Sequence, residues 1–113
     1  MAMAPNVTGD DLDGLDRQRV YPDDTVIRAF IRRSSDYESG WSYKLHYGST
    51  VPSEETLSDG TIRRHDNSHE DSKGHELHVA PDPDPIIIDP FPGMVEIWRQ
   101  FWDAIPKDEF EVP

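Results

Sequence analysis

The chain has 113 residues, no cysteine and a formal net charge of −12. That length allows one buried core, and the missing cysteines exclude disulfide frameworks, thiolate nucleophiles and zinc–sulfur sites. No apolar run approaches the ~20 residues needed to cross a bilayer, and the opening MAMAPNVTGDD lacks the basic and apolar regions of a signal peptide, so a soluble cytoplasmic protein with no membrane partner is expected.

The acid is spread unevenly. Residues 1–24 carry a net of −4 and residues 80–113 a net of −6, whereas residues 25–79 carry only −2. Asp outnumbers Glu fifteen to eight, and Arg outnumbers Lys eight to three. This Asp-rich, Lys-poor balance resembles that of extreme halophiles, whose hydrated carboxylates keep proteins soluble in molar salt. At that ionic strength the Debye length is ~3 Å, so the acidity reports the solvent and does not exclude a polyanionic partner.

In chain order, residues 1–24 read as an acidic, flexible arm. TVIRAFIRR (25–33) is a strand with Ile27, Ala29 and Ile31 on one face. WSYKLHYGS (41–49) is the clearest strand: Trp41, Tyr43, Leu45 and Tyr47 point one way, and Ser42, Lys44 and His46 the other. Asp59-Gly60 marks a turn. TIRRHD (61–66) and HELHVA (75–80) are short strands joined by the polar stretch 67–74. Five prolines in PDPDPIIIDPFP (81–92) forbid a helix there, leaving Ile86, Ile87 and Ile88 as a short edge strand or a core plug. Met94, Ile97, Trp98, Phe101 and Ile105 follow the spacing of an amphipathic helix over 94–105, stopped by Pro106. The fold class is α+β: a small antiparallel sheet of about four strands with the C-terminal helix packed on one face. One domain spans 25–105, and 106–113 form an acidic tail. The aromatic stripe of 41–47 is read as core against Trp98 and Phe101.

Four of the five histidines, His65, His69, His75 and His78, fall in TIRRHDNSHEDSKGHELHV (61–79), beside Arg63 and Arg64. Pairing of 61–66 with 75–80 would bring His65 and Asp66 near His75 and Glu76. Lys44, His46, Arg63, His65 and His78 would then share the face opposite the aromatic core, with Asn67, Ser68 and His69 at its rim. Such a set suits metal-free phosphodiester cleavage, in which one histidine takes the ribose 2′-hydroxyl proton and another protonates the leaving 5′-oxygen. An arginine steadies the phosphoryl oxygens. The catalytic candidates are His65, His69, His78 and Arg64. Arg63, Asn67, Lys44 and His46 are substrate-binding candidates, with Asp66 and His75 in support.

Two other readings stand beside this one. The pairs His65/His69 and His75/His78, with Asp66, have spacings that could chelate a metal, although the metal-free site needs none and no cofactor is expected. A non-catalytic interaction module, binding protein or nucleic acid, would use a sheet edge or the Trp98/Trp102 flank of the helix, where Trp102 lies at the margin of the core stripe. On sequence pattern alone, histidines incidental to a polar hairpin account for the cluster better than either chemistry taken separately. No Gly-rich phosphate loop or Gly-x-Ser-x-Gly elbow is present.

The order of WSYKLHY, a turn to Gly60, RRHDNSH, GHELHV, a Pro-rich link and a final helix resembles the TumE-like toxins of prokaryotic toxin–antitoxin modules. The recognisable core of that family reads Arg-aromatic-Asp-Asn followed by a His-x-x-His-like segment. The likeness covers residues 25–105 and is sharpest over 63–79. It implicates Arg64, Asp66, Asn67, His69, His75 and His78, and it departs at His65, where the family usually has an aromatic residue. The resemblance implies a cognate small antitoxin as partner and RNA as target; a homodimer is a further expected assembly.

Overall fold

The computed structural model describes residues 7–67 and 74–111. Its elements are α1 (Gly9–Leu12), β1 (Leu15–Val20), β2 (Thr25–Arg33), β3 (Trp41–Ser49), β4 (Thr61–Asp66), β5 (His75–Val79), β6 (Ile86–Ile88) and α2 (Met94–Asp103). The strands form one antiparallel sheet in the order β1-β2-β3-β4-β5-β6, each paired with its neighbour in sequence. No helix among the described residues is long and apolar enough to cross a membrane.

Alternation decides which side of the sheet is dry. Ile27, Ala29 and Ile31 of β2 share one face with Tyr43, Leu45 and Tyr47 of β3, and all six are buried. Helix α2 lays Met94, Ile97, Trp98, Phe101 and Trp102 across this face, each large side chain contributing roughly 1.5–3 kcal/mol by leaving water. The opposite face holds the polar half of the alternation.

The sheet has six strands, not about four. The two additional strands lie at its edges. β1 falls inside the stretch expected as a flexible arm: Leu15 pairs with Ile31, and Leu12 and Leu15 enter the core, while Asp16 to Val20 remain exposed. β6 is the Ile86–Ile88 triplet, paired with β5. The tail after α2 also contributes, because Phe110 packs 5.0 Å from Trp102 and Glu109 accepts a 3.0 Å hydrogen bond from Trp98 Nε1.

Trp102 is accordingly buried, at 6% exposure, which removes it from the helix flank that the interaction-module reading would use. Among the described residues, the exposed large apolar side chains are instead Val20, Val51, Ile86 and Ile87. Trp41 is only half-buried, with the Arg33 guanidinium 4.9 Å over its ring.

Candidate active site

Residues directly opposite in an antiparallel pair share a face, so the register assigns each candidate to a side. His46 pairs with Arg28 on β2 and with Arg64 on β4, and Arg64 pairs with His78 on β5. Arg28, His46, Arg64 and His78 thus form one row across four strands on the face away from α2. The adjacent row is Phe30, Lys44, Asp66 and Glu76.

The expectation that Arg63 and His65 join this face is corrected by a shift of one position. His65 lies opposite Leu45, and Arg63 opposite Tyr47, both on the helix side; a one-residue change of register exchanges the faces of a strand. A bulge after Tyr47 then pairs Gly48 with Thr61. It leaves Ile62 against the core and returns Thr61 to the open face, where its hydroxyl meets both Arg64 and His46.

His65 is a core side chain, 0% exposed and packed edge-on against Phe101 at 6.1 Å between ring centres. Burial, with a smaller contribution from the Arg63 charge, pushes its pKa down to about 4. His75 is also on the helix side, stacked 4.1 Å from Phe91, with its Nδ1 2.9 Å from the Tyr43 hydroxyl; burial lowers its pKa. Asn67 is wholly buried. Its Nδ2 donates to Trp41 O at 2.6 Å and its Oδ1 accepts from Tyr43 N at 3.0 Å, so the side chain extends the β3–β4 ladder past the end of β4. An Asn67→Ala variant should lose about 1–3 kcal/mol of stability by leaving the buried Tyr43 N–H without its acceptor, read as a lower urea midpoint. His69 lies outside the described residues.

On the open face the side chains converge. Arg64 donates from Nε to Asp66 Oδ2 at 2.7 Å, and from Nη1 to Asp59 Oδ2 at 3.0 Å and Thr61 Oγ1 at 3.2 Å. Its Nη2 makes no hydrogen bond among the described residues, so two N–H donors remain for an anion. His78 places Nε2 3.3 Å from Glu76 Oε1 and 3.9 Å from Asp66 Oδ2. His46 has Nδ1 3.4 Å from Thr61 Oγ1. A Cβ on Gly48 would come within 2.7 Å of His46 Nε2 and 2.6 Å of Gly60 O, so glycine is what lets this ring lie down on the strand. Burial lowers the His46 pKa to about 4, assisted by the charge of Arg64 and, less, of Arg28 and Lys44, with Asp59 opposing. The imidazole is therefore neutral at neutral pH.

The His75/His78 pair expected from spacing does not form, because His75 stacks on the helix side with Tyr43 and Phe91 while His78 lies opposite Arg64 on the other face; the His65/His69 pair falls partly outside the described residues. A different set does come together: ligand atoms of Asp66, Glu76 and His78 all lie within 4.8 Å of one another. Arg28, Phe30, Thr61 and Glu76 also belong to this face and were not singled out from sequence. For Arg28 and Phe30 the signal was present, since placing Ile27, Ala29 and Ile31 inward necessarily turns Arg28, Phe30 and Arg32 outward.

The chain matches the family model described as "Toxin TumE" over residues 5–108. The comparisons with curated proteins and with solved structures return no match.

Proposed function

The chain belongs to the TumE toxin family, and from that premise we propose that it is the toxin of a toxin–antitoxin module and acts as a small ribonuclease through the open face of its sheet. Membership implies a cognate antitoxin as partner. The observation that carries the catalytic reading is the row His46–Arg64–His78: two imidazoles on strands ~10 Å apart with a guanidinium between them.

A phosphodiester seated over Arg64 would meet its Nη2 donors at the phosphoryl oxygens. His46, held neutral, takes the 2′-hydroxyl proton. His78 delivers a proton to the leaving 5′-oxygen, and the 2′-oxygen closes on phosphorus as the P–O5′ bond breaks. Because the His46 pKa is lowered, its base form persists down to about pH 4, and the acid limb of the rate profile lies below that of an ordinary histidine.

A second reading rests on Asp66, Glu76 and His78, whose spacing would suit one divalent cation. RNA cleavage by the purified protein, in low and near-molar salt and with and without EDTA, separates the two. Persistence in EDTA, with ~10²–10⁴-fold losses in His46→Ala and His78→Ala, is the expected result. Loss in EDTA, restored by a divalent cation, would transfer His78 to a ligand role, and no cleavage by a folded protein would remove the nuclease reading.

A further inference from the structure

The open face carries an aromatic ring that the cleavage chemistry leaves unused. Phe30 sits half-buried on β2 opposite Lys44, between Arg28 and Arg32 on the same side of the strand. The Arg32 guanidinium lies 5.6 Å from the centre of its ring. Phe30 stands apart from the hydrophobic core and from the residues packed against it. Beside it is a shallow cavity of ≈ 380 Å³ bordered by Asp16, Gln18, Arg28, Phe30, Ser42 and Lys44. Two of these, Arg28 and Lys44, belong to the rows that run on to Arg64 and Asp66. Among the described residues, Arg28, Arg32 and Lys44 flank Phe30 with Asp16 on β1, and Asp66 follows beyond Lys44 in the row, a locally basic spot in a chain of net charge −12.

A ring at the edge of a depression, with cations on both sides and a phosphate-steadying arginine two strands away, matches the needs of a single strand of RNA. Its bases have open π-faces for stacking, and its phosphates track the cations. A duplex keeps its bases stacked on one another and offers no face to Phe30. We propose that this depression is a subsite for single-stranded RNA, with a nucleobase stacked on Phe30 and backbone phosphates on Arg28 and Lys44. Phe30 lies two strands across and two residues along from Arg64, ~12 Å away, so the base it holds flanks the scissile bond and sets which sequence is cut. The subsite takes its scissile phosphate from the ribonuclease reading, but binding can be measured without cleavage.

The probe is a labelled 2′-O-methyl RNA decamer, which has no 2′-hydroxyl to attack, measured by anisotropy in low salt as a single strand and as a duplex. Wild-type protein should bind the single strand and prefer it to the duplex. Phe30→Ala should raise Kd by ~5- to 150-fold, Phe30→Leu, which keeps bulk without the π-face, should do nearly the same, and Phe30→Tyr should bind like wild type. Arg28→Gln should weaken binding and flatten its salt dependence. Unchanged affinity in folded Phe30→Leu, or a duplex bound as tightly as the single strand, would overturn the subsite. Phe30-dependent binding by a protein that cleaves no ordinary RNA would uphold the subsite and sink the nuclease; cleavage indifferent to Phe30 would do the reverse.

Discussion

RNA cleavage by Arg64→Gln is expected to fall ~10²–10³-fold, the usual cost of deleting a donor aimed at the charge that develops on the phosphoryl oxygens. The substitution has a structural side effect that has to be separated out. Asp66 is 1% exposed and accepts a 2.7 Å hydrogen bond from Arg64 Nε; removing one partner of a buried pair costs about 3–5 kcal/mol. The double variant Arg64→Gln, Asp66→Asn removes both charges and should recover most of that stability. Its cleavage should stay as low as that of the single variant, since Asp66 orients the guanidinium and cannot replace it. Arg64→Lys keeps the charge but not the planar fork and should fall between. Wild-type cleavage by the folded double variant would move the chemistry off this face.

The elements whose apolar residues repeat with a clear period were legible, and those with one or two core residues, such as Leu15 of β1 and Phe110 of the tail, were not. β2, β3 and α2 follow from strict alternation or helical spacing of Ile27, Ala29, Ile31, Tyr43, Leu45, Ile97, Trp98 and Phe101, because these residues make the core. β1 escapes that logic. Its Asp-Arg-Gln-Arg run is exposed, since an edge strand needs hydrogen bonds to one neighbour and no apolar face. The candidate site was half legible for a related reason. Lys44 and His46 are placed by the alternation of β3, but TIRRHD has a single aliphatic residue, Ile62, to mark its inner face. The bulge opposite Tyr47 and Gly48 then breaks the period at that residue. A register with Arg63 and His65 outward therefore fits the sequence as well as the true one, with Arg64 and Asp66 outward. The aromatic residue usual in the family at the position of His65 was the available clue: an aromatic ring there belongs to a core.

That clue leads to the other large effect. Acid should destabilise this protein well before its carboxylates titrate, and His65 should be a main cause. With a folded pKa of about 4 against the ordinary histidine value of 6.5, the unfolded chain takes up its proton first as the pH falls. Stability is therefore full above pH 6.5, is lost between 6.5 and 4, and levels off below that, for a total of about 3 kcal/mol from this group. His46 moves in the same direction but is half-buried and contributes less. Neither ring nitrogen of His65 has a hydrogen-bond partner among the described residues, so even the neutral ring buries an unsatisfied donor at a cost of roughly 1–3 kcal/mol. His65→Phe should remove both penalties while keeping an edge-on ring against Phe101, and His65→Leu tests the same point with less added volume. Urea unfolding at pH 7 and pH 5 should give at least one of these variants a higher midpoint than wild type at pH 7 and a smaller loss on acidification. An undiminished acid loss in both would place the sensitive group elsewhere. Cleavage should be untouched, because His65 faces α2 while His46, Arg64 and His78 face away. A stable His65→Phe protein that no longer cleaves RNA would put the chemistry on the helix side of the sheet and overturn the assignment of the open face.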